Sequence, residues 1–216
     1  MVMGRYGMLR GAVVMTAAGM VLTACSAGAP EAGPSVKGPG ATAATGGGPG
    51  AAKGVVIGGR GTPCPLPVTF ETPPEWTPEK VTVSGDPDFA ALAEQGTVTL
   101  SCEVDAKPAG NIGFLRVWTG DDPGAAPREV LEAYVGAEEN AAKAAYTETR
   151  AGGLPAAEVT YTVSDEFTDG PKPERAFAVT TPSGAVVVHL GGLDAGEHRA
   201  MLPAYELAKR TTALAG

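Results

Sequence analysis

The chain has 216 residues, 16 Lys+Arg against 24 Asp+Glu for a formal net charge of −8, and is rich in glycine (31) and proline (19). From residue 62 onward 11 basic residues face 23 acidic ones, a net of −12. Such a field repels phosphate backbones and anionic headgroups, which excludes nucleic-acid binding and calls for no cationic partner by itself.

Arg5 and Arg10 precede the uncharged stretch Gly11 to Ala24, which is shorter than the roughly 20 residues a membrane-spanning helix needs. It reads as the apolar region of a signal peptide. Its end, Leu22-Thr23-Ala24-Cys25, reads as a lipobox: small residues precede a thiol that can be acylated at the membrane surface and become the first residue of the mature chain. Residues 1–24 are therefore expected to be removed and Cys25 to carry the lipid, which places the protein on the outer face of the cytoplasmic membrane.

From Ser26 to about Gly61 the chain is built of Gly, Ala, Pro, Ser and Thr, too little apolar surface to offset the entropy of ordering. Residues 25–61 are expected to form a tether whose root-mean-square reach is about 30–35 Å. One apolar patch, Val55-Val56-Ile57 between Gly54 and Gly58, is a candidate for a loosely docked strand. Residues 62–216 suffice for one domain with a single core. Cys64 and Cys102 remain as an even pair in an oxidising compartment and predict a disulfide. Two buried thiols or half of a metal site are the alternatives, although His189 and His198 are the only histidines.

Along the domain, Val68-Thr69-Phe70 is a short strand entering Pro73-Pro74-Glu75-Trp76, and Asp86 to Ala93 a helical turn or two with Phe89, Leu92 and Ala93 on one side, ended by Gly96. Thr97 to Val104 alternates with period two, which places Val98, Leu100, Cys102 and Val104 on one face. Ile112 to Thr119 has apolar residues on both sides, as a central strand covered on both faces does. Leu131, Tyr134, Val135, Ala142, Ala145 and Tyr146 recur at helical spacing and predict one long helix from Arg128 to Thr149, stopped by Gly152-Gly153. Three strands follow, Ala156 to Val163, Arg175 to Thr181 and Ala185 to Leu190, the last two joined at Pro182-Ser183-Gly184. Asp194 and Glu197 form a capping-box pattern for a final helix to about Thr211, which Pro203 should kink or restart. These elements predict an α+β fold: a mostly antiparallel sheet packed by a long middle helix and a C-terminal helix.

The element order, with Pro73-Pro74-Glu75-Trp76 at its start and Gly153-Leu154-Pro155-Ala156-Ala157 leading the meander, resembles the PsbP-like α/β/α sandwich, and in particular the LpqN/LpqT-type lipoproteins of actinobacteria. That resemblance covers roughly Leu66 to Leu214. It implies a docking module and carries no catalytic residues with it.

The residues themselves offer no nucleophile beside a base: no Gly-x-Ser-x-Gly, Ser-x-x-Lys, His-Glu-x-x-His or Walker-type loop occurs. His189 sits in an apolar strand run and reads as an ordinary sheet residue. Asp121-Asp122 with Glu103 and Asp105 could hold Ca²⁺, but the EF-hand spacing is absent and a polar turn explains them. No catalytic residue, cofactor or metal is expected. The expected function is a monomeric, membrane-anchored, non-enzymatic module that docks another envelope protein. One alternative is carriage of a small apolar ligand in a groove between sheet and helix lined by Trp76, Phe114, Trp118 and Tyr134. The other is a hydrolase working through two converging carboxylates. Replacing Cys25 with Ser should release the protein from membranes or leave an uncut precursor. A variant that is still processed and sediments with membranes would refute lipidation at Cys25.

Overall fold

The computed structural model describes residues 54–83, 85, 87–164 and 170–216. The signal segment, Cys25, most of the expected tether and the middle of the Ser164–Pro173 link lie outside them. The elements in chain order are β1 (Val55–Gly58), β2 (Val68–Thr72), β3 (Thr77–Lys80), α1 (Pro87–Leu92), β4 (Glu94–Gln95), β5 (Val98–Asp105), β6 (Phe114–Thr119), α2 (Pro127–Gly136), β7 (Ala141–Ala151), β8 (Leu154–Val163), β9 (Lys172–Thr181), β10 (Gly184–Gly191), α3 (Ala195–Thr211) and β11 (Ala213–Leu214). The main sheet runs β3-β5-β6-β10-β9-β8-β7 with β4 beside β5, and a small sheet runs β1-β2-β11. All pairings among the described residues are antiparallel. The fold is α+β, as the pattern of elements predicts.

The central strands β6, β10, β9 and β8 are apolar on both faces because each face is covered by a different layer. On one side α2 packs Val130, Leu131, Tyr134 and Val135 against Val159, Ala178 and Val187. On the other, α3 contributes Met201, Tyr205 and Ala208, and the small sheet Ile57, Val68 and Phe70, against Val117, Phe177 and Val188. Asp194 caps α3 by accepting hydrogen bonds from the Gly196 and Glu197 amides. Pro203 neither breaks nor restarts α3. Its side chain is on the exposed face of the helix, where a lost backbone hydrogen bond costs least.

Several boundaries differ from expectation for identifiable reasons. The long middle helix stops at Gly136, and its expected second half is the edge strand β7. Asn140 (φ 61°) and Lys143 (φ 57°) take left-handed backbone, and β7 pairs along β8 from Ala141↔Val163 to Ala151↔Leu154. Pairing outweighs the modest helix preference of an alanine run, and Tyr146, Thr147 and Thr149 favour strand in any case. Gly152 (φ 52°) makes the β7–β8 turn against the end of α3: its amide donates to the Lys209 carbonyl at 2.8 Å, and a Cβ there would meet the Thr212 carbonyl oxygen at 1.9 Å.

In β5 the register slips between Leu100 and Cys102. This bulge turns Val98 and Leu100 toward the α2 layer and Cys102 and Val104 toward the α3 layer, so the four do not share a face. β1 lies within the stretch that composition assigns to the tether, yet Ile57 is buried and pairs with Phe70. Leu92, expected to face inward, is exposed. β9 begins at Lys172, three residues before Arg175, with Pro173 tolerated at its start opposite Thr162.

Cys64 and Cys102 form a disulfide with Cα atoms 5.8 Å apart and both side chains buried in the α3-side core. The bridge pins the segment ahead of β2 to the middle of β5. Mass spectrometry of the unreduced chain should show the Cys64–Cys102 cross-link. Cys102→Ala should lower the unfolding free energy, read from the urea midpoint, by about 3–4 kcal/mol for a loop of this length. A variant as stable as the parent would show that the bridge is not what holds this corner.

Candidate functional site

A ten-residue α-helix is about 15 Å long, whereas the ten-residue strands it lies on reach about 33 Å. α2 therefore covers one end of its sheet face and leaves the rest open. Past its last turn the strands present Arg116 beside His189, Phe114 beside Gly191, Tyr161 beside Glu174 and Val163 beside Lys172. With Glu138 following α2, and Ile112 and Leu193 at the lip, these residues other than the buried Tyr161 line an open cleft of about 470 Å³.

Polar groups form the floor of the cleft. His189 is 7% exposed and Glu174 4%. His189 Nε2 lies 2.9 Å from Glu174 Oε2, and Lys172 Nζ lies 3.0 Å from Glu174 Oε1. Burial works to raise the Glu174 pKa, but the hydrogen bond and charge of His189, followed by Lys172, hold it below the usual carboxylate value. An ionised Glu174 accepts the His189 Nε2–H, so in the neutral ring Nδ1 is an acceptor. It is buried and has no hydrogen-bond partner among the described residues. The Nδ1–Cε1 edge faces Gly191, where a Cβ would lie 3.2 Å from Cε1 and 3.7 Å from Nδ1, so the glycine keeps the ring edge clear. Tyr134 and Tyr161 flank the ring with centroids 5.8 and 6.4 Å away, and burial raises the pKa of both phenols.

At the sides of the cleft the charged groups already hold hydrogen-bond partners. Arg116 Nε donates to Glu103 Oε1 at 2.7 Å and its guanidinium lies 5.3 Å from the Phe114 ring centroid. Glu138 Oε2 accepts from Gln95 Nε2 at 3.1 Å. The lip is held by Glu197 in the first turn of α3, whose carboxylate accepts the amides of Ile112, Gly113 and Leu193. Ile112 and Leu193 are nonetheless 57% and 52% exposed.

The four rings proposed to share a groove are split between layers. Trp76 is buried in the α3-side core and Trp118 and Tyr134 in the α2-side core. Trp118 and Tyr134 pack edge to face with centroids 5.5 Å apart, so the space between helix and sheet is filled by the very residues expected to line it. Of the four, only Phe114 reaches the cleft. The acidic residues considered for Ca²⁺ are dispersed: Asp105 pairs with Phe114 at the start of β6, whereas Asp121 and Asp122 follow its other end. Asp105 and Asp122 each accept a backbone amide of their own turn. No motif or spacing in the sequence joins His189, Glu174, Lys172 and Arg116. One signal for them is a lone histidine in an otherwise apolar strand; the partner, Glu174, lay just outside the expected start of its strand.

A second polar cluster lies on the opposite face, beneath α3. Glu158 accepts from Arg175 Nε at 2.9 Å, Lys209 Nζ at 2.8 Å and Tyr205 OH at 2.9 Å, and Arg175 also reaches Glu206 at 3.0 Å. Burial raises the Glu158 pKa, and the bonds from Arg175, Lys209 and Tyr205 more than reverse it, leaving it lowered. This cluster has its donors satisfied within the protein and fastens α3 to the sheet.

A family model described as "uncharacterised lipoprotein" matches residues 34–212. The chain belongs to this lipoprotein family. No curated protein matches it. Membership fits a membrane-associated, lipid-anchored envelope protein. No helix among the described residues is long and apolar enough to cross a membrane. Cys25 lies ahead of the matched stretch and outside the described residues.

The buried carboxylates give the lipoprotein an acid sensitivity of definite sign. Glu158 and Glu174 have folded pKa values below their unfolded ones. The stability they contribute is present above about pH 4.5 and is lost as pH falls through the folded values. His198, whose pKa burial lowers, adds a loss that begins near pH 6.5. Urea midpoints measured from pH 7 to 3 should fall, and Glu158→Gln, less stable at pH 7, should show a shallower fall below pH 4.5. An equally steep decline in the variant would remove Glu158 from this account.

Proposed function

We propose that the protein is a non-enzymatic recognition module of the cell envelope, held at the outer face of the cytoplasmic membrane by a lipid on Cys25 and acting as a monomer. The observation that supports this most directly is the cleft beyond α2. Buried, charged side chains are costly in a fold unless they are paired or used, and here they line an open concavity of a size typical of ligand sites, about 300–1,000 Å³. Glu174, the buried carboxylate of the cleft, is kept ionised by His189 and Lys172 rather than held as a protonated acid. Binding therefore suits it better than carboxylate-based hydrolysis.

The α2–sheet–α3 layering is consistent with a likeness to PsbP-like docking modules of the LpqN/LpqT type. A second reading, docking of an envelope protein, is favoured by one feature: the exposed pair Ile112 and Leu193 at the lip. Both readings place recognition at the same end of the molecule, where α3 begins. The chain joins β1 at Gly54, which lies against Glu71 and Thr72, and the Glu71 amide donates to Thr211 at the far end of α3. The recognition end is thus about 25 Å from the point where the anchored segment arrives, the length of the seventeen-residue α3 at 1.5 Å per residue. A photo-crosslinking residue at position 193 of the full-length protein in its native membranes should yield an adduct with an envelope component, whereas one at position 143 on the exposed β7 edge should not. Absence of any adduct at 193, or equal adducts at both positions, would count against the cleft as the recognition site.

A further inference from the structure

We infer that the ligand of the cleft is a neutral, polyhydroxylated molecule, a saccharide unit, bound with its hydroxyls on the His189–Glu174–Lys172 floor and its ring face against Phe114, Ile112 and Leu193. This rests on the cleft being the recognition site.

The charge pattern of the lining is the first ground. Arg116 and Lys172 supply two positive charges, Glu138 and Glu174 two negative ones, and His189 stands between them. Lys172 is paired with Glu174 and Arg116 with Glu103. A ligand of either net charge therefore meets a like charge and must be stripped of water beside a cation or carboxylate that already has its partner. A neutral ligand avoids that cost.

Hydrogen-bonding capacity is the second ground. What the pairs leave over is both donating and accepting: further N–H groups on Lys172 and Arg116 and the second oxygen of Glu138. Hydroxyl groups donate and accept at once, so a polyol can satisfy all of these, whereas an amine only donates and a carboxylate only accepts. The third ground is shape. Phe114, Val163, Ile112 and Leu193 are available to cover the C–H face of a sugar ring, and Gly191 keeps the surface flat in front of His189.

Such a unit could be a free sugar or part of an envelope glycan, and the two are separable. Ligand-observed saturation-transfer NMR on the full chain in detergent would use glucose, galactose and trehalose as neutral probes, glucosamine and glucuronate as charged ones, and polysaccharide extracted from the envelope. At least one neutral sugar should bind, with the charged analogues about tenfold weaker or worse. Gly191→Ala, which puts a methyl group against the His189 ring edge, and Glu138→Gln, which leaves the fold's other contacts in place, should each reduce binding about tenfold while the thermal unfolding curve of the second is unchanged.

A free sugar as the ligand predicts that trehalose or a hexose displaces polysaccharide completely. A glycan predicts polysaccharide binding that single sugars compete only weakly. Preferential binding of glucosamine or glucuronate, no transfer to any neutral probe or polysaccharide, or binding indifferent to both substitutions would overturn the proposal. A position-193 adduct with no sugar binding would overturn the ligand class alone; loss of both would remove the cleft as a recognition site.

Discussion

The structure turns on a mismatch of lengths. Four central strands are buried on both faces, but the helix that covers one face, α2, is about half as long as β8 and β9 beneath it. Where α2 lies, the strands carry Val159, Ala178, Val187 and Trp118. Where it ends, the same strands carry Tyr161, Glu174, His189 and Arg116. The change from apolar to polar along a single face follows the edge of the helix, as it must when a surface passes from dry contact to a partly wetted cleft. The cleft is thus not an addition to the fold but the part of the sheet that α2 does not reach.

The other face has no such gap. α3 is seventeen residues long and is backed by the small sheet, so that side closes into the larger core, with Phe70, Phe177 and Tyr205 among its largest side chains. Its one charged residue from β8, Glu158, is satisfied by donors from both β9 and α3. The two buried glutamates of neighbouring strands are therefore in opposite situations. Glu158 has its partners supplied by a helix packed over it and acts as a fastener. Glu174 has partners only from its own sheet, under an open surface, and leaves His189 with an unused nitrogen. The disulfide belongs to the closed side, holding the segment that leads into β2 against β5.

Much of the fold was legible. The strands β2, β5, β6, β8, β9 and β10, the Asp194 cap, the two-faced burial of β6 and the Cys64–Cys102 pairing follow from period-two patterning, capping chemistry and cysteine count. The site was not, and two local readings concealed it. An alanine-rich run after Gly136 reads as helix, which would have roofed the whole sheet face; only pairing with β8 makes it β7. Pro173 reads as a break, which leaves Lys172 and Glu174 in a loop; only the central position of β9 draws them into the sheet. With a full-length roof and without Glu174, His189 has neither an opening nor a partner and looks like an ordinary strand residue. The proposed aromatic groove failed for a related reason: Trp76, Trp118 and Tyr134 are the largest apolar side chains available, and two separate cores needed them.

By itself the sequence determined the lipoprotein character, the acidic charge balance, the α+β class and the bridge, because each depends on composition, on short motifs or on periodicity within one element. The tertiary structure alone decided where α2 stops, which face the β5 bulge gives to Cys102, that β1 joins the fold, and that His189, Glu174, Lys172 and Arg116 meet in one cleft. Those outcomes depend on competition between elements far apart in the chain: a strand edge available to residues 141–151, a layer that runs out before the sheet does, and charges from three strands whose proximity no spacing along the sequence records.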